Sequence, residues 1–168
     1  MEVRGFFILE NKFFDDFPDP YLKRNENENR PHYYCFKSED DLYWMIPTSA
    51  RYEKYQNIIN KRNKTGKSTE FIYISKLDNG ITNAFLIGDM FPVTKEYIKR
   101  EYTFNGSHLK ITSAKLGDQI EKQAKVILGL LKLGYKFSPT QPDVLKIEKL
   151  LLDKKSKIKG ENSFEQIC

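Results

Sequence analysis

Residues 30–52 read RPHYYCFKSEDDLYWMIPTSARY, and within them two short aromatic runs flank an acidic turn. The runs are His32–Lys37 and Leu42–Pro47. Aromatic and branched side chains favour strands, and the four polar residues 38–41 between the runs suit a reversal of the chain. The stretch therefore predicts a β-hairpin whose second strand ends at Pro47, because proline cannot donate a hydrogen bond to a neighbouring strand.

The segments on either side of this hairpin differ in character. Val3–Leu9 is short and almost wholly apolar, which predicts a buried strand, whereas Asp15–Arg30 is polar enough to predict a long loop. After the hairpin, apolar residues recur every three or four positions, which predicts an amphipathic helix over 51–64. We expect Thr48 or Ser49 to cap that helix, because their side-chain oxygens can accept a first-turn N–H.

A second hairpin follows this helix. The pair Asn79-Gly80 is typical of a tight turn, and it lies between Phe71–Lys76 and Ile81–Ile87. The next segment, 91–102, has no clear period, so it predicts either one more strand or a short helix around Lys95–Lys99.

The last third of the sequence has a helical period. It predicts one helix over 113–133 that Gly134 stops, and a second over 143–155 that Pro142 opens. Beyond it, the tail from 157 to 168 is predicted to be frayed.

These elements together predict an α+β fold with a mostly antiparallel sheet of five or six strands. At 168 residues, the chain suits a single domain over 1–168. Within that domain, 1–104 should be mostly sheet with a basic helix at 51–64, and 105–168 should be helical.

Composition excludes several classes of protein. The sequence is 39% hydrophobic and 14% aromatic, which is too rich for a disordered chain. Its apolar runs are far shorter than the roughly 20 residues of a membrane span, and its first residues do not resemble a secretory signal. Cys35 and Cys168 are too few for a disulfide framework or a zinc site. We therefore expect a soluble, cytoplasmic, globular protein, and no His, Cys or carboxylate spacing in the sequence suggests a metal site.

The net charge of +5 is unevenly distributed. Residues 1–104 contain equal numbers of basic and acidic side chains, whereas 105–168 contain 12 basic and 7 acidic ones. Within the first part, 51–67 carries six basic side chains against Glu53 alone. Clustered cations displace counterions from a phosphate backbone, so both regions are compatible with a nucleic-acid surface, although a solvated face is the simpler interpretation.

Candidate catalytic residues gather at one end of the first hairpin. The start of its first strand and the end of its second strand are neighbours, so His32 is expected near Thr48 and Ser49. Arg30 and Arg51 would flank the same edge, and the N-terminus of a helix there would favour an anion. A phosphate bound at this edge would meet hydroxyl groups, guanidinium groups and an imidazole.

At these residues the sequence resembles the toxins of type III toxin–antitoxin systems, the ToxN/AbiQ superfamily, and especially its CptN-like branch. The resemblance rests on an ordered set of features: a short aromatic first strand, Arg30-Pro31 before the second strand, Pro47-Thr48-Ser49 at the end of the next, a basic helix over 51–64, and two C-terminal helices. Two departures are Arg30 and Arg51, where the family often has lysine.

The resemblance implies a strongly bent, barrel-like antiparallel sheet related to the MazF/Kid toxins. It also implies metal-independent cleavage of single-stranded, adenine-rich RNA by attack of a ribose 2′-hydroxyl, which leaves a 2′,3′-cyclic phosphate and a 5′-hydroxyl. The family's inhibitor is a small pseudoknotted RNA that the toxin processes and with which it forms closed assemblies, and its targets are cellular or phage messenger RNA.

Site residues can be assigned by matching the family's motif. Thr48, Ser49, Arg30 and Arg51 match it, and His32 is the candidate acid or base because arginine is too basic to exchange protons. The residues predicted to bind RNA are Arg51, Tyr52, Lys54, Lys61, Arg62, Lys64 and Lys67.

Two other functions remain open at this stage. One is a non-catalytic RNA-binding module that uses the basic helix alone. The other is a MazF-like toxin that a protein antitoxin inhibits.

Overall fold

Strands and short turns occupy most of the chain up to residue 108, and two long helices follow. The computed structural model describes residue 1 and residues 3–165, without the side chains at 159 and 161–165. The elements in chain order are β1 (Phe6–Leu9), α1 (Asn11–Asp16), β2 (His32–Lys37), β3 (Tyr43–Ser49), α2 (Tyr52–Lys64), β4 (Tyr73–Lys76), β5 (Thr82–Phe85), β6 (Phe91–Val93), β7 (Ile98–Glu101), β8 (Thr103–Phe104), β9 (Ser107–His108), α3 (Ala114–Lys132) and α4 (Val144–Glu165). Two 3₁₀ turns, Ile87–Asp89 and Lys95–Tyr97, flank β6.

The sheet is antiparallel and has the order β4-β5-β3-β2-β1-β7, with β6 added against β3. The predicted hairpin is confirmed as β2 and β3, with His32 opposite Pro47. On its other edge, β3 pairs with β6 through Tyr43–Met45 and with β5 through Thr48 and Ser49. One long strand thus connects two half-sheets.

Pro47 lies where β3 passes from one partner to the other. Its carbonyl accepts a hydrogen bond from Leu86 N at 2.9 Å, so its missing N–H faces the gap between β6 and β5. The prediction that the strand ends at Pro47 was therefore wrong, because this edge needs no donor there. Strand β3 continues for two residues beyond Pro47, so it includes the candidate residues Thr48 and Ser49.

An aromatic core lies beneath this sheet. The rings of Phe6, Tyr33 and Phe85 contact one another with centroid distances of 5.3–6.1 Å. Helix α3 buries Ile120, Ala124 and Ile127 against the core, as its period predicted. The buried side chains of α4 are Val144, Ile147 and Leu151.

Several predicted boundaries are confirmed by local chemistry. Helix α2 spans Tyr52–Lys64, within the predicted range. The β4–β5 turn places Gly80 at φ +82°, a conformation that glycine adopts without steric cost. Ser113 caps α3 by accepting from Leu116 N at 3.3 Å, and Gly134 follows its end at φ +88°.

Other boundaries differ from the prediction. The first strand begins at Phe6 rather than Val3, and α1 occupies the start of the predicted loop. Segment 91–102 contains two strands with a 3₁₀ turn between them. The region from 105 onward includes β9 in addition to helices, and α4 continues to Glu165, whereas a frayed tail was predicted from 157. The last part of that tail, 166–168, lies outside the described residues.

Candidate active site

A cleft of about 200 Å³ opens where β3 ends and α2 begins, and we call it the β3–α2 cleft. Three structural parts supply most of its walls: the segment before β2, the junction of β3 and α2, and the β4–β5 hairpin. The residues that line it are Phe6, Glu26, Asn29, Arg30, Pro31, Thr48, Ser49, Ala50, Arg51, Leu77, Asn79, Ile81, Asn83, Tyr102 and Leu109. The structure thus brings together four of the five predicted catalytic residues.

The two neighbouring hydroxyl residues of β3 play different parts. Thr48 is 2% exposed, and its Oγ1 donates to the Pro31 carbonyl at 3.0 Å. Its hydroxyl proton is therefore engaged in this hydrogen bond and is not available to a ligand. Ser49 is half-buried, and its Oγ accepts from Arg51 N at 3.2 Å. Neither hydroxyl caps α2: its N-cap residue is Arg51, and no side-chain hydrogen bond is made there. The predicted capping by Thr48 or Ser49 was therefore wrong, because the helix begins at Tyr52.

The two arginines of the cleft differ in their ion pairing. Arg51 is exposed, and its guanidinium makes no hydrogen bond or ion pair with the described residues. Arg30 is mostly buried and forms an ion pair with Glu26, and its Nη1 donates to the Arg24 carbonyl at 3.4 Å. Arg51 is therefore the cation that is free to bind an incoming anion.

A buried asparagine fixes the segment that carries Arg30. Asn25 is 1% exposed, its Nδ2 donates to the Leu9 carbonyl at 2.5 Å, and its Oδ1 accepts from Leu9 N at 3.4 Å. The Asn25 carbonyl accepts from Arg30 N at 2.8 Å. In the segment between Asn25 and Arg30, residues 26–28 all have φ between +48° and +67°, a backbone conformation that costs energy for residues other than glycine. Glu28 offsets part of this cost by ion pairs with Lys99 and Arg100.

The structure does not bring the imidazole of His32 to the cleft. His32 is 0% exposed, with Phe14 and Phe91 against its ring, and its Nε2 lies 3.0 Å from the Lys23 carbonyl. A carbonyl only accepts, so Nε2 carries the proton. Burial lowers the pKa of His32 to about 4. The expected catalytic position of His32 is thus corrected: its backbone lies at the predicted edge, but its side chain points into the core.

We expect His32 to remain neutral throughout the range from pH 5.5 to 8. Its Cε1 proton signal should titrate with a midpoint near pH 4, and His32→Gln would assign it because the chain has two histidines. The unfolded histidine binds a proton near pH 6.5, so the free energy of unfolding should fall by about 3 kcal/mol as pH drops from 6.5 to 4. A midpoint above pH 6 would contradict this assignment.

Two side chains that the sequence analysis did not single out lie beside these residues. The Tyr55 hydroxyl interacts with the Ser49 side chain, and burial raises the pKa of Tyr55, so the phenol keeps its proton at neutral pH. Burial also raises the pKa of Asp89 to about 6, against the opposing charges of Lys23 and Arg30. Tyr55 follows Ser49 by six residues, so it could have been found as a first-turn residue of α2. No pattern in the sequence indicates Asp89.

The residues predicted to bind RNA divide into two groups. The exposed group lies on α2 or just outside its ends and comprises Arg51, Lys54, Lys61, Lys64 and Lys67. Tyr52 is half-buried against the hydrophobic core. Arg62 donates from Nε to the Ser68 carbonyl at 2.7 Å and covers the Phe71 ring at 4.8 Å. The exposed lysines therefore form the accessible part of the basic helix.

Two further observations concern metals and membranes. Within residues 1 and 3–165, no group of three or more His, Cys, Asp or Glu side chains could hold a metal ion. No helix in this part of the chain has both the length and the apolar character required to cross a bilayer.

Comparison with known proteins identifies the fold. No family model matches the sequence, and no curated protein matches it either. Among solved structures, the chain is similar to AbiQ, a lactococcal anti-phage endoribonuclease belonging to the type III toxin–antitoxin system. The TM-score is 0.62 at 12% identity, over 95% of this chain and 99% of AbiQ. The chain has the AbiQ fold.

This likeness confirms the α+β architecture that the predicted strands and helices indicated. At 12% identity, the chemistry of this chain must be argued from its own residues.

Proposed function

We propose that this chain is an endoribonuclease, and that it is the toxin of a type III toxin–antitoxin system. The observation that carries the proposal is that Ser49, with its hydroxyl, and Arg51, with its unpaired guanidinium, line one cleft of an AbiQ fold. Arg30 adds a second guanidinium to the same cleft. Hydroxyl and guanidinium donors are the groups that bind phosphate oxygens most readily.

The reaction we propose takes its nucleophile from the substrate. The ribose 2′-hydroxyl loses its proton to water as its oxygen attacks the adjacent phosphorus. The bond from phosphorus to the 5′-oxygen breaks and that oxygen takes a proton from water, so a 2′,3′-cyclic phosphate and a 5′-hydroxyl result. Ser49 would donate to a non-bridging oxygen, and Arg51 would stabilise the charge that develops there. The N-terminus of α2, which no side chain caps, favours the same anion. Since these groups bind and align the phosphate, the proposed reaction requires no metal.

Two more residues would act through Ser49 and Arg30 rather than on the RNA. Thr48 links β3 to Pro31 by its hydroxyl, which holds the segment of Arg30 against the cleft. Tyr55 interacts with the Ser49 side chain and would orient its hydroxyl. With the ring of His32 buried, we assign it a structural role in which it holds the Lys23 carbonyl.

The proposed partners are RNA molecules. The substrate would be cellular or phage messenger RNA, and the inhibitor a small pseudoknotted antitoxin RNA that assembles with several copies of the chain. The exposed lysines of α2 and the loop after it continue from the cleft, so they could guide both RNAs along their phosphates. Adenine-rich sites are the proposed targets.

The proposal is tested by incubating purified wild-type protein with single-stranded RNA in the presence and absence of EDTA. We expect cleavage in both, with cyclic-phosphate ends, and none where the scissile nucleotide lacks its 2′-hydroxyl. Salt-sensitive binding without any cleavage would instead support a non-catalytic RNA-binding module. The protein isolated from its native host should absorb more at 260 nm than at 280 nm because antitoxin RNA accompanies it; a copurifying protein would indicate a protein antitoxin.

A further inference from the structure

A second cavity, of about 220 Å³, adjoins the β3–α2 cleft, and we call it the Phe137 pocket. The side chains that matter most in it are those of Lys23, Tyr55, Ile58, Phe71, Asp89 and Phe137. The first turn of α2 connects the two cavities, since Arg51 at its start lines the cleft and Tyr55 lines the Phe137 pocket. The charge of Arg30, another cleft residue, acts on both Tyr55 and Asp89. A molecule that spans both cavities would therefore run along the first turn of α2.

The walls of the Phe137 pocket suit a flat ring. Phe71 and Phe137 are stacked, with centroids 5.5 Å apart and ring planes at 23°. Phe137 lies on the segment after α3, where Gln141 Oε1 accepts from its backbone N at 2.8 Å and so fixes the turn. Ile58 adds an apolar contact from α2. Pockets for drug-sized ligands typically measure about 300–1,000 Å³, so this smaller cavity suits a single ring system.

A single carboxyl group is the acidic component of this pocket. Asp89 also lines it, and its Oδ2 lies 3.8 Å from Lys23 Nζ, which leaves hydrogen-bonding capacity for a ligand. Lys54 and Arg62 contribute positive charge at the same pocket. Aromatic walls, one hydrogen-bonding carboxyl and surrounding cations are the features by which proteins bind unstacked bases of single-stranded RNA.

We infer that the Phe137 pocket binds one base of the RNA next to the scissile phosphate, stacked against Phe137 and recognised at its exocyclic amino group by Asp89. The inference rests on the proposed function, because it gives the cleft a specificity pocket. An amino group donates to a carboxyl oxygen, whereas uracil presents a carbonyl at that position. The chain would therefore favour an amino-bearing base at one position beside the cleavage point.

The test uses a short RNA that the wild-type protein cleaves at one bond. Each base that flanks this bond is replaced in turn by an abasic residue or by the analogue without its amino group. We expect one position at which an abasic residue lowers kcat/KM by about 10- to 100-fold, the usual value of one stacked base. Phe137→Ala should lower cleavage of the intact RNA by a similar factor and remove the abasic effect.

Asp89→Ala should abolish discrimination between the amino-bearing base and its analogue, because it removes the acceptor oxygens. The groups that face Asp89 are Lys23, Arg30 and Tyr55. The Asp89 carboxylate accepts from the amino group, whereas a protonated carboxyl can also donate to the carbonyl of uracil. The preference for the amino-bearing base over uracil should therefore weaken as pH falls from 8 to 5. A preference unchanged by Asp89→Ala would overturn the inference.

Tyr135→Ala is the matched control, because Tyr135 is a 60% exposed aromatic two residues from Phe137 that does not line the pocket. Thermal melting of every variant excludes misfolding, and Phe137→Leu keeps the apolar volume if Phe137→Ala proves unstable. If wild-type protein cleaves RNA but Phe137→Ala and Tyr135→Ala behave alike, the inference fails and the proposed function stands. If no cleavage occurs, binding of intact and abasic RNA still tests the pocket by fluorescence anisotropy.

Discussion

Ser49→Ala is expected to lower the rate of RNA cleavage by about 10²- to 10³-fold, the usual loss when one donor to a developing negative charge is removed. The measurement is the single-turnover rate with RNA at saturating protein. Binding of RNA should change little, because the exposed lysines of α2 and the free guanidinium of Arg51 remain.

This effect should not come from unfolding. Ser49 is half-buried, and the hydrogen bond that its Oγ accepts from Arg51 N can be replaced by water. The melting temperature should therefore stay close to that of the wild type. Ser156→Ala, on an exposed face of α4, serves as the matched control and should cleave RNA normally. Cleavage by Ser49→Ala at more than a third of the wild-type rate would exclude Ser49 from the chemistry.

Asn25→Ala is expected to lower the free energy of unfolding by about 2–4 kcal/mol, because it leaves the N–H and the carbonyl of Leu9 buried without partners. Asn25 makes both of those bonds with one side chain, in the way that a neighbouring strand would. Urea denaturation measures the loss. Asn57→Ala, an exposed substitution on α2, should change stability by less than about 0.5 kcal/mol.

Asn25→Ala should also impair RNA cleavage at temperatures at which the variant is still folded. The backbone carbonyl of residue 25 accepts the hydrogen bond from Arg30 N. Without the asparagine side chain to fix this segment, the guanidinium of Arg30 should be displaced. We expect at least a tenfold loss of kcat/KM, since a small misplacement of a phosphate-binding group is costly. A variant that is destabilised but cleaves normally would show that Arg30 has no part in catalysis.

Local signals in the sequence were sufficient for most of the architecture. The hairpin register at His32 and Pro47 followed from two aromatic runs and an acidic turn, and the β4–β5 turn followed from Asn79-Gly80. Ser113 indicated the start of α3 correctly. Each of these features depends on residues close together in the chain, which is why periodicity and turn chemistry were enough.

The candidate site was predicted less completely, because it depends on side-chain direction and on distant segments. Position along a strand placed His32 at the correct edge, but it did not reveal that its ring enters the core. Thr48 looked like a helix cap until its hydroxyl was seen to bind Pro31, a residue of another segment. Asp89 is brought to the Phe137 pocket only by the tertiary fold, so no local sequence pattern could indicate it.

The division of β3 between two half-sheets has a consequence for how such a protein can diverge. Tyr43–Met45 pair with β6 in one half, whereas Thr48 and Ser49 pair with β5 in the half that carries the β4–β5 hairpin. That hairpin forms one wall of the cleft, and its tip at Asn79-Gly80 is exposed or nearly so. Natural selection can therefore alter the hairpin, and with it the substrates admitted, while the folding core is conserved.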